Sequence, residues 1–340
     1  MKILYIHHDT RFARNVSELV YFINGLGKYC DLVVYGKRNI RFDHTAKKVE
    51  YNKKNDDVIN VIKREKPDIL LVGKTKRIES IEESLGDIVP TVIIEQEFIG
   101  RNNSKNGLVA RMSKKHNISA LIVRGYHPEA LNIVDCPVYW LPFAANEQEF
   151  YTELVDHSDR IPKIFFMGHA AGDMKRRKNR FYRVRTKALF KLKEAGLLPP
   201  PYRKRYTSTR RKVYLYHIRK YYGGLSCAFG PLKQIPLKSF EIMATGTALL
   251  TQEIRPEIKE QLFGNEQHYF VYKDDCSDVV DVADELLTNH SLRKEVCSRA
   301  LHTINMRHLH KHRVLELWQM LDSVVRGKEY KSQTFKFIGR

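Results

Sequence analysis

The chain has 340 residues, 43% of them hydrophobic, enough for two domains that each bury a core. No run of eighteen apolar residues occurs, and the first segment, MKILYIHHDTRF, turns polar after six residues, which argues against an integral membrane span and against a signal peptide. Of the net charge of +20, +16 lies between positions 173 and 222, where eighteen Lys or Arg stand against two acidic residues, so the basicity belongs to one block and not to the whole surface.

From the amino end, apolar runs and amphipathic segments alternate. Strands are expected at 2–7, 31–35, 68–72, 91–95 and 120–123, and helices at 16–29, 57–66, 78–85 and 108–116. Such βα alternation predicts a parallel sheet covered by helices. The run at 137–142 closes this half, a polar and acidic stretch follows at 146–160, and a new strand opens at 163–167. Helices are then expected at 185–195 and 212–222, a strand at 225–229, a helix at 237–245 and a strand at 248–251. A helix at 257–262, a strand at 268–272 and helices at 279–288, 292–304 and 314–326 complete the chain. The expected class is α/β: a Rossmann-like domain at 1–155, a second at 156–312, and a helix and tail at 313–340 packing back toward the first. In open parallel sheets ligands bind outside the carboxyl ends of the strands, so two such domains facing a central cleft would offer one half-site each.

The five cysteines, Cys30, Cys136, Cys227, Cys276 and Cys297, are odd in number, far apart and never in a C-x-x-C pair. Buried, reduced thiols in a cytoplasmic protein fit this usage better than disulfides or a zinc site. His308, His310 and His312 read as a solvated or helix-capping cluster.

The segment PLKSFEIMATGTALLT at 236–251 places Glu241 in the first turns of a helix, one turn after Lys238 and ahead of Gly246. A helix N-terminus suits a phosphate, and a carboxylate held there can accept from the vicinal hydroxyls of a ribose. A Glu that only complements the helix dipole fits the segment equally well.

This segment resembles the donor-site signature of GT-B glycosyltransferases, particularly the CgeB-like group. YWLPFA at 139–144 resembles that group's interdomain segment, and FFMG at 165–168 resembles its first donor-domain strand and glycine turn. HYFVY at 268–272 and MRHLHKHR at 306–313 resemble its late strand and closing stretch. The resemblance covers about residues 137–320. It implies a nucleotide-sugar donor, UDP- or GDP-linked, as substrate, with Glu241 on the ribose, Lys238 on the diphosphate and Gly168 and Gly246 in the donor site. In the large retaining group of this fold a second Glu precedes the first by eight positions; here that position is Lys233, so the stereochemical outcome is left open. The Lys238/Glu241 pair also resembles that of phage DNA β-glucosyltransferases.

The implied chemistry is displacement of a nucleoside diphosphate from an anomeric carbon by an acceptor hydroxyl. Cations must neutralise the leaving group. No D-x-D motif is present, so no metal site and no cofactor are expected, and Lys238, Arg180 and Arg185, with Arg176 and Arg177, are the candidate cations. An inverting enzyme needs a base. Glu95 and Glu97 follow an apolar strand, with Glu97 preferred, and His8 and Asp9, beside His7, stand at the end of the first strand; His127 enters from the interdomain side.

Within the basic block Arg203, Lys204, Arg205, Arg210, Arg211 and Lys212 alternate with tyrosines. That pattern suits a polyanion whose phosphates meet cations while rings stack. The acceptor classes it leaves open are a phosphorylated or lipid-linked glycan at a membrane surface, which would make the protein peripheral to the membrane, and DNA carrying a hydroxymethylated base. A nucleic-acid binder without enzymatic activity is the alternative of another class, against which the donor-site signature speaks.

Overall fold

The computed structural model describes residues 1–6, 23–36, 47–50, 57–95, 104–147, 149–150, 159–166, 180–199, 216–228 and 233–330. The chain divides into two compact units, one from Met1 to Pro142 joined by the segment from His310 onward, the other Phe143–Leu309.

The first unit is built on seven strands: β1 (Lys2–Ile6), β2 (Asp31–Gly36), β3 (Lys47–Glu50), β4 (Ile69–Val72), β5 (Thr91–Glu95), β6 (Ala120–Val123) and β7 (Val138–Trp140). They lie in the order β3-β2-β1-β4-β5-β6-β7, every pair parallel. A parallel sheet is covered on both faces, which is why ILLV and ALIV carry no polar residue. Side chains alternate between the faces. Leu4 and Ile6 join Val33, Leu70 and Ile93 in one core, roofed by Val58, Ile59, Val61 and Ile62 of the helix Val58–Glu65. Ile3 and Tyr5 join Val34, Leu71 and Ile122 in the other.

That second face is closed by the helix His310–Val325, which contributes Val314, Leu317, Met320 and Leu321. Gly25 lets the chain at 23–26 come close to it, since a Cβ there would lie 2.6 Å from Val314 Cγ2. Arg313 is fully buried, its Nε donating to the Pro142 carbonyl at 3.1 Å and its Nη1 to Glu316 at 3.3 Å.

The second unit holds β8 (Ile161–Phe165), β9 (Tyr221–Leu225), β10 (Ala248–Gln252) and β11 (Phe270–Tyr272), again all parallel, in the order β11-β10-β9-β8. Helices Arg180–Glu194, Leu237–Ala244, Pro256–Phe263, Val279–Thr288 and His290–Arg307 accompany it. Strand β9 is YYGGL, and both glycines are packing sites. A Cβ on Gly223 would lie 2.6 Å from Ile164 Cδ1, and one on Gly224 would lie 3.0 Å from Ile242 Cδ1 of the helix Leu237–Ala244.

Several expectations are corrected. The helix at 78–85 does not form: Thr75–Arg77 is a 3₁₀ turn and the chain then runs irregularly. The carbonyls of Ile78 and Glu83 lie 2.9 Å and 3.1 Å from the ring nitrogens of buried His116, and are thereby drawn out of a helical ladder. The strand expected at 225–229 is instead β9 at Tyr221–Leu225, and the helix before it is seen only at 216–220. Strand β3 had no counterpart in the reading of the sequence. His308 and His310 are buried, not solvated; His308 caps the helix His290–Arg307 and its Nε2 lies 2.8 Å from the Leu262 carbonyl. Among the described residues no helix is long and apolar enough to cross a membrane.

Arg313→Met should lower the stability of the first unit by roughly 3 kcal/mol, the scale of removing one partner of a buried charge pair. Guanidinium chloride unfolding followed by circular dichroism measures it; a midpoint equal to the parent's would show that apolar packing alone holds the last helix.

Candidate functional site

In the second unit the carboxyl ends of the four strands form one edge of the sheet, where Phe166 follows β8, Ser226 and Cys227 follow β9, Glu253 follows β10, and Lys273 and Asp274 follow β11. Ligand-facing groups of an open parallel sheet collect at this edge. The helix Leu237–Ala244 starts here. Pro236 sits at its N-cap in an extended conformation without a side-chain cap, so the first turn offers N–H groups and the positive end of the dipole. Ser239 Oγ donates to Ser226 Oγ at 3.0 Å and pins that first turn to the end of β9.

Three charged side chains meet at this point. Lys238 Nζ lies 5.3 Å from the ring centre of Phe166, and Arg185 Cζ lies 6.0 Å from the same ring. Glu241 is buried on the next turn of the helix. Burial pulls the Lys238 ammonium down to about 8, the Glu241 charge opposes that fall, and the Arg185 charge adds to it. Cys227 Sγ lies 3.2 Å from the Tyr272 hydroxyl, and burial raises both groups above their ordinary values, so both are neutral. The result is two cations and one carboxylate in a largely dry setting beside an uncapped helix start, an arrangement suited to a diphosphate with hydroxyls nearby.

Lys233, the residue standing where a second Glu occurs in the retaining group, has φ +47° and ties β10 to β11. Its Nζ is 2.6 Å from Glu253 Oε2 and 3.1 Å from Asp274 Oδ2. The hydrogen bond to Glu253 is the main cause that raises its basicity.

Of the residues singled out in the sequence, Arg185, Lys238 and Glu241 are brought together. Gly246 is not with them: it follows the far end of the eight-residue helix, roughly 12 Å along the axis, with φ +65°. Arg180 opens the helix Arg180–Glu194. Glu95 ends β5 in the first unit, buried, and accepts from Thr75 Oγ1 at 2.8 Å. His127 is buried with Nδ1 3.9 Å from Glu129 Oε2. His7, His8, Asp9, Glu97, Gly168, Arg176 and Arg177 lie outside the described residues, as do Arg203, Lys204, Arg205, Arg210, Arg211 and Lys212. Cys227, Tyr272 and Ser226 were not singled out for this site; their position just at or after the carboxyl end of a strand was the available signal. Among the described residues no three His, Cys, Asp or Glu side chains gather closely enough to hold a metal ion.

Residues 193–319, which include Lys238 and Glu241, match the model of a family described as glycosyl transferase-like. No curated protein matches the chain in sequence. Solved structures share its fold. Anabaena Alr3699/HepE in complex with UDP and glucose is 10% identical, with a TM-score of 0.66 over 95% of this chain and 100% of that one. Sucrose-phosphate synthase from Thermosynechococcus elongatus is 8% identical, with a TM-score of 0.65 over 96% and 100%. A glycosyltransferase from Rickettsia africae is 12% identical, with a TM-score of 0.58 over 96% and 99%. The α/β fold with parallel sheets is thus the one found in GT-B glycosyltransferases.

The lowered basicity of Lys238 gives a signed pH dependence. Its value in the folded chain, about 8, lies below the ordinary 10.5, so between those limits the unfolded chain holds a proton that the folded one has released. This group therefore makes stability rise with pH across that window. Lys238→Met should remove the rise, leaving the difference in urea midpoint between variant and parent largest near pH 7 and smallest near pH 10.5; a difference independent of pH would contradict the lowered value.

Proposed function

We propose that the protein transfers a sugar from a nucleotide-sugar donor to an acceptor hydroxyl, the donor being held at the carboxyl edge of the second sheet. The observation that carries this reading is the convergence of Arg185, Lys238 and Glu241 on the uncapped start of the helix Leu237–Ala244. The match of residues 193–319 to a glycosyl transferase-like family supports it. So does the fold shared with a protein whose complex holds UDP and glucose.

In this reading the bond from the anomeric carbon to the phosphate oxygen breaks, the acceptor oxygen bonds to that carbon, and the nucleoside diphosphate leaves as an anion. Arg185, Lys238 and the helix N–H groups stabilise the charge that develops on the leaving phosphate. Glu241 accepts from the ribose hydroxyls. The acceptor proton passes to a base, for which Glu97 is the first candidate and His8 and Asp9 the next. We assign the neutralising work to side chains and not to a divalent cation because no D-x-D motif is present. The basic block favours an anionic acceptor, a phosphorylated or lipid-linked glycan or DNA carrying a hydroxymethylated base.

Titration calorimetry with UDP, GDP and their glucose and mannose derivatives tests the donor site. Glu241→Gln should weaken binding of the preferred nucleotide about tenfold or more, as expected for hydrogen bonds to a charged acceptor, with circular dichroism unchanged. Equal affinity in parent and variant removes the assignment. Transfer, once a donor is known, should survive EDTA; activity lost on chelation and regained with Mn²⁺ would falsify the metal-free mechanism.

Neutralising Arg203, Lys204, Arg205, Arg210, Arg211 and Lys212 together should leave nucleotide binding in place and weaken acceptor binding. On duplex DNA the log–log salt slope would flatten by about 0.9 per lost phosphate contact. Loss confined to anionic vesicles identifies a lipid-linked acceptor instead. No change toward either would show that the block does not meet the acceptor.

A further inference from the structure

The opposite edge of the second sheet, where its strands begin, carries a second concentration of positive charge. Arg160 immediately precedes β8, Arg219 and Lys220 immediately precede β9, and Thr247 immediately precedes β10. Arg293 lies in the first turn of the helix His290–Arg307. A five-residue strand spans roughly 16 Å, so this edge is separate from that of Lys238 and Glu241.

Two of the three arginines are partly answered by helix ends. Arg160 Nη2 donates to the Thr245 carbonyl at 3.0 Å, and its Nη1 to Thr247 Oγ1 at 2.7 Å and to the Gly246 carbonyl at 3.4 Å, just past the helix Leu237–Ala244. Arg293 Nη1 donates to the carbonyls of Leu286 and Leu287 at 2.8 Å and 2.9 Å, in the last turn of the helix Val279–Thr288, and its guanidinium lies 3.9 Å from the ring centre of Tyr222. The negative ends of two helix dipoles offset part of both charges. Arg219 has no such answer among the described residues: its Nε and Nη2 are buried and without a hydrogen-bond partner there, and Arg160 Nε is in the same condition.

The three residues sit close enough to feel one another. Thr247 Oγ1, which accepts from Arg160, donates to the carbonyl of Ile218 at 3.0 Å, one residue from Arg219. The charges of Arg219 and Arg293 both add to the lowering that burial imposes on Arg160. No carboxylate pairs with any of the three among the described residues. Among the described residues, the acidic group that faces both Arg160 and Arg293 is the Cys297 thiol, which burial pushes up to about 12, so it carries no charge. Buried donors left unbonded and like charges left unneutralised are both costly, and an oxyanion placed among them removes both costs.

We propose that Arg160, Arg219 and Arg293 form a second anion site, for the dianionic phosphate of a free or monoesterified ligand, at the amino edge of the second sheet. A tetrahedral dianion brings two charges and several acceptor oxygens to such donors, where a chloride ion brings a single charge. Arg219 belongs to the basic block read from the sequence.

The test is thermal unfolding and titration calorimetry with inorganic phosphate at constant ionic strength set by chloride, followed by glucose 6-phosphate. The proteins are the parent, Arg219→Gln and Lys238→Gln. Phosphate should raise the unfolding temperature of the parent and of Lys238→Gln alike, while Arg219→Gln should lose about tenfold or more in phosphate affinity. Without phosphate, Arg219→Gln should be as stable as the parent or more so, because a repelled charge has gone. Stronger binding of glucose 6-phosphate marks the ester as the ligand, and equal binding marks the free ion; both support the site. The proposal is overturned if Arg219→Gln responds to phosphate as the parent does, if neither ligand affects the parent, or if the response is lost in Lys238→Gln and kept in Arg219→Gln. Should Arg219→Gln fail to fold, Arg219→Lys, which keeps the charge but not the fork, must still show weaker phosphate binding. This test does not depend on whether the other edge binds a nucleotide.

Discussion

Two adjacent glycines in one strand set the geometry of the second unit. Side chains of a strand alternate between faces, so Gly223 and Gly224 leave both faces of β9 bare at neighbouring points. Ile164 and Leu286 press in on one side and Ile242 on the other: a Cβ on Gly223 would overlap Ile164, and one on Gly224 would press tightly on Ile242. The helix that carries Ile242 also carries Lys238 and Glu241, and the Ser239 to Ser226 bond holds its first turn at the strand end. The close approach therefore decides how deep the carboxylate and the ammonium sit. The depressed basicity of Lys238 follows from that depth and from the nearby charge of Arg185, which lies beside the same Phe166 ring.

The same glycines show why part of this arrangement was legible in the sequence and part was not. The strand–helix alternation was readable because a parallel strand buried on both faces is a short apolar run. Lys238 and Glu241 were readable because Pro236 opens a helix whose polar residues are few. Strand β9 was placed four residues too late, since Tyr-Tyr-Gly-Gly looks like a turn until the neighbours that fill the missing side chains are known. The segment 78–85 looks helical by its apolar spacing, and only the ring of His116, far along the chain, shows why its carbonyls point elsewhere. Of the cluster of Arg160, Arg219 and Arg293, only Arg219 left a local trace, as one residue of the basic block. Its members come from three separate segments, and each alone is an ordinary basic residue.

The handling of charge differs between the two edges of the second sheet. At the carboxyl edge a carboxylate and two cations share a helix start, and Lys233 bridges two exposed acids in a pair that contributes little to stability. At the amino edge the cations meet carbonyls, the Thr247 hydroxyl, the Tyr222 and His290 rings and a neutral thiol, and no carboxylate among the described residues. The cysteines, all free, serve here as small apolar residues whose thiols stay protonated, and Cys227 and Cys297 each mark the apolar lining of one edge.

The helix His310–Val325 has a consequence for how the chain is made. It completes the core of the first unit from beyond the second, with Val314 and Leu317 packed beside Ile3 and Tyr5. During synthesis, strands β1 to β7 leave the ribosome long before this helix exists, and one face of their sheet must wait uncovered while the whole second unit emerges. The second unit is one continuous segment and can fold as it appears. The first can finish only by a contact that spans almost the entire chain, and such contacts form slowly. A chaperone that shields an apolar sheet face would therefore act on the amino-terminal unit, and on nascent chains shorter than about 325 residues.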